Sequence, residues 1–385
     1  MKNLISKIFI LVASVAIMTS CTSSDDDNNN SSTFVANPDD FKGDINDGVV
    51  TLDPTEIYQL TGRILVKDGA QLIIPAGTVI EGVGGTSAYI AVAQGGKIFV
   101  NGTSTNPVVM TSGLAVKQPG DWGGVVICGR AHTNKGATAS AEVSDLTYGG
   151  TIDNDNSGSI RYLRIEYSGA AFNSEKEFNG LSLFGVGSGT TIEYVQVHEG
   201  ADDGFEFYGG SVKASYLVST SNEDDQFDWT EGWNGKNNTN WYGKLGLGRG
   251  NRGIEADGLE ENHAATPYSF PTITNLTLIG LGNQGNEPQA IQLRRGTKAT
   301  IDNVVLTNWN IGIRVTDAAT HNWMGGDLTV TNVKFTDIVA ANSNFIAQGF
   351  VGTIPAGTWS ENTNATGAGF NTAVPTWAQG WTVGL

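Results

Sequence analysis

The chain has 385 residues, with 51 glycines, 39 Asp and Glu against 22 Lys and Arg, and a formal charge of −17. A chain this acidic with no basic cluster repels polyanions, which excludes nucleic acid as a partner and favours cationic ligands or metal ions. Its length suggests two or three globular domains, but a repeat protein escapes that expectation because each unit needs only its neighbours.

Lys2 and Lys7 precede an apolar run from Ile8 to Met18, the layout of an export signal and too short for a spanning helix. The run closes on Met18-Thr19-Ser20-Cys21, which resembles the processing box of bacterial lipoproteins, with Met18 where Leu is usual. The resemblance implies removal of residues 1–20, lipidation of Cys21 and anchorage to outer-membrane lipid; a secreted protein with a chance cysteine is the alternative. Residues 21–33, with Asp25-Asp26-Asp27 before Asn28-Asn29-Asn30, form a polar tether that cannot pack a core. An acidic run at this position resembles the surface-export signal of Gram-negative lipoproteins and implies display on the cell surface. Cys128 is the other cysteine, so the mature chain has no intramolecular disulfide, and its apolar setting, Val125-Val126-Ile127, predicts an inert buried thiol.

From Tyr58 onward, short apolar runs alternate with glycine turns and almost nothing has helical period. Ile64-Leu65-Val66, Leu72-Ile73-Ile74 and Lys97-Ile98-Phe99-Val100 read as strands, separated by turns such as Pro75-Ala76-Gly77 and Gly95-Gly96. The stretch Glu193–Trp229 then repeats itself: Tyr194 and Tyr216, Asp202 and Asp224, Asp203 and Asp225, Phe205 and Phe227, and Phe207 and Trp229 are each 22 residues apart. First strands of the repeat open at Tyr162, Tyr194, Tyr216, Asn275, Asn303 and Asn332, most with Ile or Val two residues earlier. Second strands have the form apolar-x-apolar, as in Phe205-Glu206-Phe207, Phe227-Asp228-Trp229 and Ile254-Glu255-Ala256, which turns the middle side chain outward.

Recurrence of both strands in the same direction predicts an all-β right-handed parallel β-helix over residues 34–357, an architecture whose turns accept insertions while its strands hold register. Residues 34–57 close its N-terminal end, and residues 358–385, with Trp359, Trp377 and Trp381, form a C-terminal cap over a last layer otherwise left wet. The runs Gly120-Asp121-Trp122-Gly123-Gly124, His198-Glu199-Gly200-Ala201-Asp202-Asp203-Gly204 and Asn222-Glu223-Asp224-Asp225-Gln226 resemble a family of bacterial surface lipoproteins with pectin-lyase-like β-helices. That resemblance implies the fold and a surface location, without a particular activity.

Stacked in register, the outward residues of the second strands form a column: Ser182, Glu206, Asp228, Glu255, Gln292 and Gly312. Neighbouring strands lie about 4.8 Å apart, and two carboxylates at ~5 Å repel by about 3 kcal/mol at an effective dielectric near 20. Asp202, Asp203, Asp224 and Asp225 in the adjoining turns add to the repulsion, so Glu206, Asp228 and these four are candidate metal ligands. Hard oxygen donors favour Ca2+, and scattered histidines at 132, 198, 263 and 321 do not suit zinc. The alternative is that the turn acids cap backbone N–H groups and bind no ion.

Carboxylates this close also match a retaining glycosidase pair, which makes Glu206, Asp228 and Glu255 candidate catalytic residues. Asp202-Asp203-Gly204 resembles the paired-Asp motif of pectin-cleaving hydrolases, yet their Gly-His-Gly and Arg-Ile-Lys companions are absent. A lyase needs an Arg or Lys base, for which Arg249, Arg252 and Arg294 are available. Trp233, Trp241 and Tyr242, in an apparent insertion at Thr230–Gly250, are candidate sugar-stacking residues alongside Arg252; packing of the insertion onto the helix is the alternative. Three functional readings follow: a surface protein binding an extracellular glycan, a polysaccharide lyase or glycoside hydrolase, and a structural or adhesive protein. Oligomeric state is not encoded in any recognisable pattern.

Overall fold

The computed structural model describes residues 32–173, 176–284 and 287–385; Cys21, the export signal and the start of the tether lie outside the described residues. From Gly158 onward most coils contain one long strand that bends once. The bend sits at a single residue with left-handed φ: Tyr162, Tyr194, Tyr216, Asn240, Asn275, Asn303 and Asn332, all between 49° and 63°. Before the bend, side chains such as Ile160, Ile192 and Ala214 pair in a first parallel sheet; after it, Leu163, Val195 and Leu217 pair in a second. Short strands such as Phe205–Tyr208 and Phe227–Thr230 stack as a third. Together they make a 24-stranded parallel sheet wound round one axis, a right-handed parallel β-helix.

The residues that open the first strands in the sequence are therefore corners inside longer strands. The Ile or Val two positions upstream is the inward residue of the first sheet, which explains its regularity. Left-handed φ is costly for residues other than Gly and least so for Asn. Lateral contacts offset the cost: Tyr162, Tyr194 and Tyr216 stack at 4.4 and 4.3 Å, and Asn303 Nδ2 donates to Asn275 Oδ1 at 2.7 Å. Asn303 Oδ1 also accepts from the Thr366 N–H at 2.9 Å. We expect Asn303→Ala to cost about 1–3 kcal/mol in urea unfolding, since it adds strain and leaves donors unpaired. Asn303→Gly, which removes only the bonds, should cost less.

Inward side chains fill the axis, and around the central coils Phe205, Phe207, Phe227, Trp229, Trp233 and Trp241 are all fully buried. Residues 34–57 contribute strands of their own: Phe41–Ile45 pairs with Ile57–Val66, and Val49–Thr51 with Gln71–Pro75. The C-terminal segment differs from the expected cap. Trp359–Glu361 does add a last strand, with Trp359 parallel to Phe345 at 5.5 Å. Beyond it the chain turns back along the outside of the second sheet. Ala368 N–H donates to Thr277 Oγ1 at 3.0 Å, Val383 N–H donates to Gln196 Oε1 at 2.9 Å, and Trp381 packs edge-on against Tyr162 and Tyr194. The physical reason is apolar surface: outward-facing Val218 and Tyr242 are buried beneath Ala368, Ala378 and Trp381. Residues 365–385 are a strap along the flank.

Candidate functional site

The outward column of the third sheet runs Val126, Ser182, Glu206, Asp228, Glu255, Gln292 and Arg314. It agrees with the expected column as far as Gln292, and then Arg314 takes the place assigned to Gly312. Ile311-Gly312-Ile313 and Ile313-Arg314-Val315 have the same apolar alternation, and a slip of two residues keeps every side chain on its face.

Three carboxylate trios form along this face and its turn: Asp202 with Asp203 and Asp224, Asp203 with Glu206 and Asp228, and Asp225 with Asp228 and Glu255. In each trio, one oxygen per residue lies within 4.8 Å of the others. The turn acids also cap backbone: Asp203 Oδ1 accepts from the Asp225 N–H at 2.8 Å, and Asp225 Oδ1 accepts from the Arg252 N–H at 2.6 Å. Burial, reinforced by Asp224, pushes Asp202 up to about 8. Burial, then neighbouring carboxylates, pushes Asp203 and Asp228 well above the usual range. Burial raises Glu206 and Glu142 likewise. Tyr208 OH sits between Glu142 and Glu206 and contacts both. Its single proton serves one of them, so the second contact requires a proton on a carboxyl group.

Compensation is uneven along the column. Arg252 lies against Asp225, Glu255 and Glu287, while Arg294 bridges Glu255 and Asp257. Asp224 accepts from Asn251 Nδ2 at 2.8 Å. No such cation reaches Asp202, Asp203, Glu206 or Asp228 among the described residues. Asp228 is 9 % exposed and its buried Oδ1 has no hydrogen-bond partner; buried Asn179 Oδ1 has none either, although its Nδ2 donates to Glu206 at 2.7 Å. Unpartnered acceptors among crowded carboxylates fit a hard cation, which takes several oxygen ligands.

Above the column lies a pocket of about 220 Å³ in which eight of thirteen lining residues are Asp or Glu. Several come from parts of the chain that sequence reasoning missed. Glu142 sits on the turn of an antiparallel hairpin, Ala139–Ser140 with Thr147–Tyr148, inserted between coils. Buried Glu231 ties that insertion down, meeting Tyr148 OH and pairing with Lys135 Nζ at 2.9 Å. Glu260, Glu261 and Arg295 come from the turn after Glu255 and the coil beyond. Glu142 had no signal in the sequence, because its nearness to Glu206 depends on how an irregular insertion folds.

The aromatic candidates do not line this pocket. Trp233 and Trp241 are fully buried, stacked on Phe207 at 4.1 and 5.7 Å, and Tyr242 lies under the strap. They present no face to a sugar. The apparent insertion in fact contains a regular bent strand, Asn238–Lys244, with Asn240 at the corner and Trp241 in register with Leu217 and Leu276. Arg252 is likewise buried in ion pairs and acts on the carboxylates from within. Arg249 bridges Glu199 and Glu223. His198 bonds Thr220 at 2.8 Å on the second sheet, and burial pushes its imidazole pKa down. Cys128 is fully buried and burial raises its thiol above the ordinary range, which keeps it protonated.

A parallel β-helix bearing a buried acidic column beneath a pocket defines the class of protein. The chain belongs to the family of pectate-lyase-like β-helix domains, whose profile matches residues 43–382. Among solved structures it is similar to the Dettilon tailspike protein, with 12 % identity and a TM-score of 0.32, over 81 % of this chain and 61 % of the tailspike chain. The chain thus spans about three fifths of the tailspike's length. No curated protein sequence matches it.

Proposed function

We propose that the protein is a lipid-anchored protein of the outer bacterial surface that binds an extracellular glycan at the acidic pocket, with a divalent cation held by the column. The observation that carries the reading is the unpartnered, buried Asp228 Oδ1 beside Asp203 and Glu206, none of which meets an Arg or Lys among the described residues. Asp202, Asp203, Glu206, Asp228 and Asn179 would hold the cation, and Ca2+ suits this oxygen-only donor set. The bound ion would supply positive charge for glycan hydroxyl or carboxylate oxygens in a pocket that otherwise repels anions. Membership of the pectate-lyase-like family supports a glycan as the ligand, and Cys21 and the acidic tether support surface anchorage.

On an array of acidic and neutral polysaccharides, a calcium-dependent component of binding is expected that chelator removes. Asp228→Asn should weaken it roughly tenfold or more, equivalent to about 1.4 kcal/mol. Absence of any calcium-dependent component defeats the proposal. A second reading, glycan cleavage, is favoured by the closeness of Glu206 and Asp228, whose raised proton affinities allow one to serve as acid beside an ionised partner. Its mark would be new reducing ends or unsaturated products that disappear in Asp228→Asn.

A further inference from the structure

A larger cavity lies elsewhere. A groove of about 580 Å³ runs over the turns that lead from the third sheet into the first, and it is lined by Arg161, Lys213 and Lys236 against only Asp153 and Glu193. Three successive coils build it with a constant offset: Ser188, Ser211 and Asn234 follow one another at 23 residues, and so do Thr190, Lys213 and Lys236. Each coil therefore offers the groove one small polar side chain and, two residues on, a hydroxyl or an ammonium group.

Lys213 presents a free charge to the groove. Lys213 and Lys236 form no salt bridge among the described residues, although Asp327 lies near enough to Lys236 to act on its charge. Arg161 pairs with Glu193 at 2.5 Å inside the groove, and Asp153 is engaged by His132 at 2.6 Å. Lys236 Nζ donates to the Phe270 carbonyl and stands 3.9 Å from the Phe270 ring centroid, and burial pushes its pKa down. Hydrogen-bonding capacity is open as well. Ser188 and Ser211 direct their hydroxyl protons to the Asp153 carbonyl, which leaves Ser188 Oγ as an acceptor, while Ser211 Oγ already accepts from the Ser188 N–H at 3.1 Å and keeps one lone pair. Thr190 Oγ1 accepts from the Ser157 N–H at 2.9 Å, so its own proton is free. Asn234 Oδ1 is buried without a partner, although the Asn234 backbone N–H is satisfied by Gly210.

We propose that this groove is a second saccharide-binding site, specific for a chain bearing carboxylate or sulfate groups and independent of calcium. The Lys213 and Lys236 ammonium groups meet the anionic substituents, and the Ser, Thr and Asn side chains meet ring hydroxyls. Rungs about 4.8 Å apart present the same pair of groups coil after coil, which matches a polymer that repeats along the axis. The acidic pocket needs a cation to accept an anionic glycan; the groove carries its own.

Calorimetric titration of the full chain in chelator tests this, using an alginate oligomer for carboxylate, a dextran sulfate oligomer for sulfate and an unmodified dextran oligomer. One or both anionic oligomers should bind and dextran should not. The exposed substitution Lys213→Glu should weaken binding roughly tenfold or more, whereas Lys42→Glu, an equal change of net charge outside the groove, should leave it unchanged. No binding of either anionic oligomer, equal binding of dextran, or equal effects of the two substitutions would overturn the proposal. Because chelator removes the cation from the acidic pocket, success or failure here is separate from that of the pocket.

Discussion

Replacing Arg252 by Met is expected to lower folding stability by about 3–5 kcal/mol at pH 7, the usual consequence of removing one partner from a buried ion pair. Arg252 is 5 % exposed and stands against Asp225, Glu255 and Glu287. Without the guanidinium, Asp225 and Glu255 lose their main compensation while Asp228, in the same trio, still repels them. The loss should shrink when the same urea unfolding is repeated at pH 4, where those carboxyls take up protons and the excess charge vanishes. An equal loss at both pH values would mean that Arg252 acts through packing of its aliphatic stem instead.

The second large effect concerns pH. Asp202 is pushed up to about 8, and Asp203, Glu206, Asp225 and Asp228 are pushed up too, by burial first. A carboxyl whose proton affinity is higher folded than unfolded makes the native state bind more protons, so stability falls as pH rises between the two values. For Asp202 that window runs from its ordinary 3.8 to about 8. In chelator, the thermal midpoint should therefore decline steadily from pH 5 to pH 8. Calcium competes with protons for the same oxygens, so it should restore more stability at pH 8 than at pH 5. At a hundred times its dissociation constant, the gain is about 2.7 kcal/mol. A thermal midpoint flat over this range would show that the column carries no excess charge when folded.

The fold was legible because each coil repeats a side-chain alternation tied to burial. That alternation identified the column from Ser182 to Gln292, since insertion and deletion fall in turns and leave apolar-x-apolar strands intact. It failed at Gly312, where two overlapping triplets fit equally well. It failed again at Asn238–Lys244, where Asn238 replaces the usual Ile and hides the strand. The corner residue was the missed signal there: Asn240 precedes Trp241 as Asn275 precedes Leu276. The carboxylates of the site were legible for a simple reason, because stacking converts a 22-residue offset into direct contact. Glu142, Glu231 and Lys135 were not, since their approach depends on an insertion with no repeat. Its position in the sequence suggests a ligand contact for Arg252, but only its burial beside Asp225 shows that it compensates charge from inside.

The strap from residues 365–385 changes how such a molecule can come apart. A solenoid held only by contacts between adjacent coils frays from its ends, one coil at a time. Here Lys334 bonds Asn371, Thr277 bonds Ala368, Tyr216 meets Trp377, and Gln196 bonds Val383, so one segment fastens coils far apart in the stack. Peeling the last coil first requires releasing a cord knotted far back along the stack. A protein tethered by one end and pulled at its far face would then resist as a single block, with the strap as the seam that must open before any coil can unwind.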